Sequence, residues 1–447
     1  MLEIKAAREI RGAVETPPSL NQYILSTVAA LASQLKTTIS PFPDTPAVAE
    51  WNKRIGSHCS LNQTKDTIVI TPQENSESML DFAGYHLPYR DFILFVALGM
   101  GKTVKVTAVS EKRIEYWTNL ATKWGCTIKA DQSESFTYIS LFETENFRER
   151  IEDITFDELY SYIGCGLGLR KKVEAEIDFQ FSSIIRPLTA AFGYECAVTS
   201  NQPAARKSSL ERRLKMLKKK KQSENPVTST LSVDFSHSSV EEAQVTLSGD
   251  ELFAAIVLAA KSIVQRGPFI INNVLLVPWA LPLLDFLRKM GFRPGIQETG
   301  LSSFGPVGMI QFQNYSLISR KIVCRPLCHY YDQLPAMIVL GAFADGQSIF
   351  RELEDMRYDI PDGIEQINEC IRLLGARFGE MPDGIVIDGA NQFDGFDLPT
   401  EIFAGHNAAF AVAGLKCMGT TTIADTAIKN RWPGFEELLQ SICQFRT

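Results

Sequence analysis

The sequence contains no uninterrupted apolar run of the roughly 18 residues that a membrane-crossing helix requires. The apolar stretch at 256–263 is too short and is broken by Lys261, so no helical membrane span is expected. Behind Met1-Leu2-Glu3-Ile4-Lys5 there is no apolar signal core, and the cytoplasm is the expected location. The nine cysteines are odd in number and scattered, which points to reduced thiols rather than a disulfide framework. Cys324, Cys328 and His329 have no second ligand pair nearby, so packed thiols are expected there rather than zinc. Net positive charge is also missing. At −7 overall, the chain has no global pull toward nucleic acid or anionic lipid.

What is present is an ordinary globular composition, 45% hydrophobic and 22% charged, over 447 residues. That length exceeds what one hydrophobic core usually holds, so two domains are expected. A pattern recurs along it. One half is an apolar helix, a glycine or polar break, and a β-branched strand, as in LFVALGMGKTVKVTAV (94–109), VLGAFADGQSIFREL (339–353) and AVAGLKCMGTTTIADT (411–426). The other half is an amphipathic helix ending in glycine and followed by a strand, as in AEWNKRIGSHCSL (49–61), YWTNLATKWGCTIKA (116–130) and INECIRLLGARFGEM (367–381). Glycine suits that position because it takes the left-handed conformation that ends a helix. Units of roughly 50–65 residues then repeat about six times, giving an α/β fold of sheets covered by helices on one side.

Four segments carry a more specific signal: TPPSLNQYILSTVAALA (16–32), TLSGDELFAAIVLAAKSI (246–263), YYDQLPAMIVLGAFADGQSIFRELEDMR (330–357) and GHNAAFAVAGLKCMGTTTIADTAIKNRWPGFEELLQSI (405–442). In order and spacing they resemble the enolpyruvyl (carboxyvinyl) transferases, most closely the EPSP synthase family. The match is weakest between about 144 and 247. The resemblance implies a two-domain fold, each domain three repeated units with sheets facing solvent and helices packed inside. It places residues 1–14 plus 248–447 in a first, discontinuous domain and 15–247 in a second, with a basic insertion at about 201–226. It also implies closure of the domains on phosphoenolpyruvate and a phosphorylated acceptor, transfer of the enolpyruvyl group to a hydroxyl, release of phosphate, and no cofactor or metal.

Such chemistry needs several cations, because phosphate and carboxylate recognition rests on charge-assisted hydrogen bonds. It also needs a carboxylate near the attacking hydroxyl. By the resemblance, Asp332 matches the catalytic carboxylate, although an Asp before Pro and an apolar helix is also an ordinary helix cap. His406 matches a second catalytic position, and Arg113 and Arg357 match substrate-binding cations. Elsewhere the residue types are wrong. The family's Pro-x-Ser-Lys-Ser and following Arg read Pro18-Ser19-Leu20-Asn21 and Leu25. Its Arg-x-Lys-Glu-x-Asp-Arg reads Arg357-Tyr358-Asp359-Ile360-Pro361-Asp362-Gly363, and the Arg after His406 is Asn407. The glycine-rich approach to phosphoenolpyruvate falls on Gly84-Tyr85-His86-Leu87-Pro88, which is bulky for that purpose. No Ser-Ser-Gln triplet stands at a matching place. Gly164-Cys165-Gly166-Leu167-Gly168 nearby reads as a turn, with no strand before it to support a phosphate loop. Each lost phosphate contact removes roughly 1.5–3 kcal/mol, so ordinary EPSP synthase activity is not expected.

Outside the resemblance lies one basic run, 205–222, with Arg206, Lys207, Arg212, Arg213, Lys215 and Lys218–Lys221. Leu210, Leu214 and Leu217 fall at helical spacing within it, and it lacks the interleaved aromatics of a single-strand binder. A solvated insertion and a docking segment for an acidic partner are both open. Three functional readings follow. The first is a diverged transferase with a lost or altered site. The second is a non-catalytic scaffold using 206–221, and the third is a weak but genuine EPSP synthase. A monomer is expected.

Overall fold

A computed structural model describes residues 1–73, 76–84, 90–152, 154–178, 182–200, 228–277, 280–324, 331–358 and 362–445. Tyr85 to Pro88, the basic stretch 206–221, Cys328, His329, Asp359 and Ile360 lie outside these residues.

Six small sheets repeat one plan. Five have four strands, in which the first pair is parallel and the next two pairings are antiparallel. In one unit the strand Met79–Asp81 leads through the helix Arg90–Gly99 to its parallel neighbour Thr103–Thr107. The helix Glu111–Lys123 and two antiparallel strands, Thr127–Gln132 and Phe136–Phe142, complete it. The sixth sheet keeps three strands, and its antiparallel member is the N-terminal strand Leu2–Lys5 on Thr420–Ile423.

The two helix types have different fates, for reasons visible in their composition. Helices that are apolar all round must be buried, and those with one apolar stripe can lie at a surface. Every residue of Leu20–Ser33, Glu251–Val264 and Leu334–Ala342 is buried. The helices Leu20–Ser33, Arg90–Gly99 and Phe156–Leu169 pack on one another in one half of the molecule. Glu251–Val264, Leu334–Ala342 and Ala404–Gly414 do so in the other. The amphipathic helix Gly363–Leu374 instead buries Ile364, Ile367, Cys370, Ile371 and Leu374, a single stripe at helical spacing. Buried apolar side chains accordingly form two clusters. One draws on 2–14 and 252–443, the other on 20–247 with Leu275, Val277, Ala280 and Phe304 added.

Of the helix-ending glycines, Gly125, Gly193, Gly291 and Gly375 take positive φ, whereas Gly56 has φ −61°. The string Gly164–Gly168 corrects the sequence reading: it is not a turn but part of the helix Phe156–Leu169. Its glycines let that helix press against Arg90–Gly99. A Cβ on Gly164 would stand 2.6 Å from the Phe92 carbonyl oxygen, and one on Gly168 would stand 2.2 Å from that of Val96.

The chain passes between the two cores twice, and the edge strands are exchanged there. Gly12–Glu15 pairs in parallel with the strand Phe269–Leu275, yet leads into the helix Leu20–Ser33 of the other core. Glu242–Thr246 pairs in parallel with Lys36–Ser40, yet leads into Glu251–Val264. The two passages are bonded to each other. Ser19 N–H donates to the Ser248 carbonyl (3.0 Å), and Asp250 N–H donates to that of Pro17 (2.7 Å).

Candidate active site

Beside these passages lies a cleft of about 220 Å³ whose walls come from both halves. Leu20, Glu50, Arg54 and Gly84 line one side, and Asp332, Phe403, Gly405 and Arg431 line the other. Leu20 is the first residue of its helix and Asp332 stands just before Leu334–Ala342, so helix starts aim both at the cleft.

Asp332 does not cap its helix. The cap position is Gln333, whose side chain makes no cap bond but holds Ala280 and Leu283 instead. The Asp332 side chain is buried, and neither carboxylate oxygen receives a hydrogen bond of ordinary geometry from a described residue. Burial pushes its carboxyl up to about 7. Arg431 opposes that rise, Glu251 and Asp250 add to it, and the Gln333 amide draws it down in part. A carboxyl so placed changes protonation near neutrality, which is what a general acid or base requires.

Behind it, two consecutive acids divide their work. Asp250 Oδ1 caps the helix Glu251–Val264 by accepting from Phe253 N–H (2.9 Å). Its Oδ2 accepts from Arg431 Nη2 (2.9 Å) and Nε (3.3 Å). Glu251 faces the other half and accepts from Ser19 Oγ (2.8 Å), Asn21 Nδ2 (3.2 Å) and Gln22 Nε2 (3.5 Å). Burial pushes Glu251 up to about 7, helped by the Asp250 charge and opposed by its own backbone amide, Ser19 and Arg431.

Among the described residues, both guanidinium groups that line the cleft are engaged by carboxylates. Arg431 is held by Asp250, and Arg54 is held by Glu50 (2.6 Å) and Asp81 (3.4 Å). No group of three His, Cys, Asp or Glu side chains suited to a metal occurs among the described residues.

The residues singled out from sequence scatter. Asp332 and Leu20 share the cleft, and His406 follows the lining residue Gly405, its buried ring edge-on to Phe403 at 5.5 Å. Arg113 is buried elsewhere. Its Nη2 donates to the Asp355 carbonyl (2.8 Å) and its guanidinium lies 5.6 Å from the Tyr358 ring. Arg357 is bound to Asp362 (3.0 Å), to Glu380 and to the Pro382 and Met381 carbonyls. Leu25 is buried in the second core, and Gly363 opens a helix capped by Asp362. Asn407 is a latch: its Oδ1 accepts from Ile402 N–H and its Nδ2 donates to the Thr400 and Ala424 carbonyls, all at 3.0 Å.

Sequence reasoning missed Glu251 and Arg431. The available signal was an acid at the head of a helix with no other acidic residue, and an arginine beside Trp432 that the structure leaves only 9% exposed.

Comparison with known proteins agrees with the architecture. The 3-phosphoshikimate 1-carboxyvinyltransferases of Desulforudis audaxviator and Salinibacter ruber are 28% and 30% identical over 200 residues each. Those matches cover 44% and 43% of this chain and 47% and 46% of the relatives, so the chain spans about half the length of the relatives it matches. The EPSP synthase of Acinetobacter baumannii superimposes with a TM-score of 0.62 at 15% identity, covering 99% of this chain and 98% of that one. The enolpyruvyl transferase NikO from Streptomyces tendae gives 0.61 at 16% identity, covering 100% and 98%. At such identities these likenesses speak for the fold alone. The family model for EPSP synthase (3-phosphoshikimate 1-carboxyvinyltransferase) matches residues 168–439, more than half of the sequence, and the chain belongs to that family.

Proposed function

We propose that this chain is a diverged member of its family in which enolpyruvyl transfer from phosphoenolpyruvate is lost or altered, and that its cleft serves a less anionic acceptor. One observation carries the reading: among the described residues, the two guanidinium groups facing the cleft are already engaged, Arg431 by Asp250 and Arg54 by Glu50 and Asp81. An incoming phosphate would have to compete with those carboxylates. It would also meet Leu20 where the resemblance calls for lysine. A charged hydrogen bond contributes roughly 1.5–3 kcal/mol, so a site short of several loses affinity by many powers of ten. The same reading takes 1–14 plus 248–447 and 15–247 as the two domains and Asp332 as the acid–base group.

The test is phosphate release by the purified protein supplied with phosphoenolpyruvate and shikimate 3-phosphate, alongside Asp332→Ala. No release above background is expected from either protein. Turnover that disappears in Asp332→Ala would sink the reading and establish ordinary transfer.

A further inference from the structure

The charges around the cleft do not balance, and the imbalance falls on one atom pair. Of the four ionisable side chains lining it among the described residues, Arg431 and Arg54 have carboxylate partners and Glu50 is one of those partners. Asp332 is only 5% exposed and lines the cleft, yet neither oxygen receives a hydrogen bond of ordinary geometry from a described residue, and the one group drawing on it by hydrogen bonding is the Gln333 amide. A buried carboxylate so short of donors is costly, so a group that supplies donors and positive charge gains most by binding there.

Resting on the reading that this cleft receives an acceptor, we propose that the acceptor carries an ammonium group, or an equivalent cationic donor, set against the Asp332 carboxylate. An anionic acceptor would face a charge of its own sign. Behind the cleft, Asp250 and Glu251 add two further buried acids, and Arg431 is the cation placed among them. The feature that favours an anion is the N-terminus of Ala404–Gly414, which has no side-chain cap. The Asp332 backbone crowds that first turn, since a Cβ on Gly405 would come 2.8 Å from the Asp332 carbonyl oxygen. The helix Leu20–Ser33 has its anion already, since Glu251 is bound to Ser19 and Asn21 at its head. The remaining wall, with Leu20, Ala47, Leu252 and Ile402, is apolar and suits a ring.

Three probes of matched shape and different charge separate the possibilities: aminocyclohexanol, cyclohexanediol and hydroxycyclohexane carboxylate. Their binding to the full chain and to Asp332→Asn is followed by ligand-observed NMR titration. The expected result is a preference of about tenfold or more for the ammonium probe over the diol, lost in Asp332→Asn. Asparagine is nearly isosteric and removes an uncompensated buried charge, so this variant is expected to fold. Preference for the carboxylate probe, a preference that persists in Asp332→Asn, or no binding of the ammonium probe would each overturn the proposal. Phosphate release in the transfer assay sinks the reading beneath it. Absence of the cation preference in a protein without turnover sinks the proposal alone.

Discussion

The pair Asp250–Arg431 offers the most demanding test of how the cleft is held. Both side chains are buried, at 1% and 9% exposure, and Arg431 directs Nε and Nη2 at one carboxylate oxygen. Removing one member of a buried pair strands the other and costs on the order of 3–5 kcal/mol. Arg431→Met should lie in that range, because Asp250 would then face Glu251 and Asp332 without its cation. Asp250→Asn should cost a similar amount, since the single amide oxygen can cap the helix or accept from Arg431 but not both, and the NH2 then faces a donor. The double variant removes both charges together, and its cost should fall short of the sum by about 2 kcal/mol. Equilibrium urea unfolding supplies the numbers. Trp432 is one of five tryptophans contributing to the fluorescence, and the Arg431 guanidinium lies 5.3 Å from its ring centroid. Independent sites add within roughly 0.5 kcal/mol, so a double variant equal to the sum would refute the coupling. A cost below about 1 kcal/mol for Arg431→Met would refute the burial penalty itself.

Other consequences can be measured separately. Asp332 and Glu251 have carboxyls raised to about 7 in the folded protein, so the stability they favour is fully present below their unfolded values, near 4, and is lost as pH rises through about 7. The native chain minus Asp332→Asn should therefore lose on the order of 3 kcal/mol of stability between about pH 4 and pH 8; a flat difference would refute the burial of a charged Asp332. Asn407→Ala opens a latch of three hydrogen bonds and should cost about 2–3 kcal/mol in urea unfolding, and a cost under 0.5 would show the latch idle. Gly168→Ala forces a methyl group onto the Val96 carbonyl and should destabilise by about 1–3 kcal/mol, where an isolated helix would gain from alanine. A stabilised Gly168→Ala protein would mean that the two helices do not touch.

The repeated units were legible because two local signals agree. Helices without a polar face, such as Glu251–Val264, can only be buried, and glycines such as Gly375 mark where amphipathic helices stop. The Gly164–Gly168 string was not legible, because the reason for its glycines is the neighbouring helix and not its own backbone. The cleft was half legible. Asp332 and Leu20 stood out by resemblance, and they line the same cleft from its two sides. Glu251 did not, since an acid in the first turn of a helix is ordinary in sequence and favourable to its dipole. Only tertiary structure reveals that its partners, Ser19 and Asn21, lie 232 and 230 residues away. Arg113 shows the converse. A cation whose position suggested substrate has its Nη2 on the Asp355 carbonyl, 242 residues along the chain.

The paired passages between the cores have a mechanical consequence. Pro18 and Gly249 form an antiparallel bridge, flanked by the Ser19–Ser248 and Asp250–Pro17 hydrogen bonds. A single tether would let one half spin or slide against the other. Two tethers riveted side by side form a hinge plate: flexing across the bridge leaves its own hydrogen bonds in place, while twisting or shearing would break its rivets. Gly249 is the pin of that plate, because a Cβ there would lie 1.8 Å from Thr16 Oγ1 and 2.1 Å from the Asn273 carbonyl oxygen. A swing that widened the cleft would therefore have one axis prescribed for it, and would carry Leu20 and Asp332 apart along a single arc.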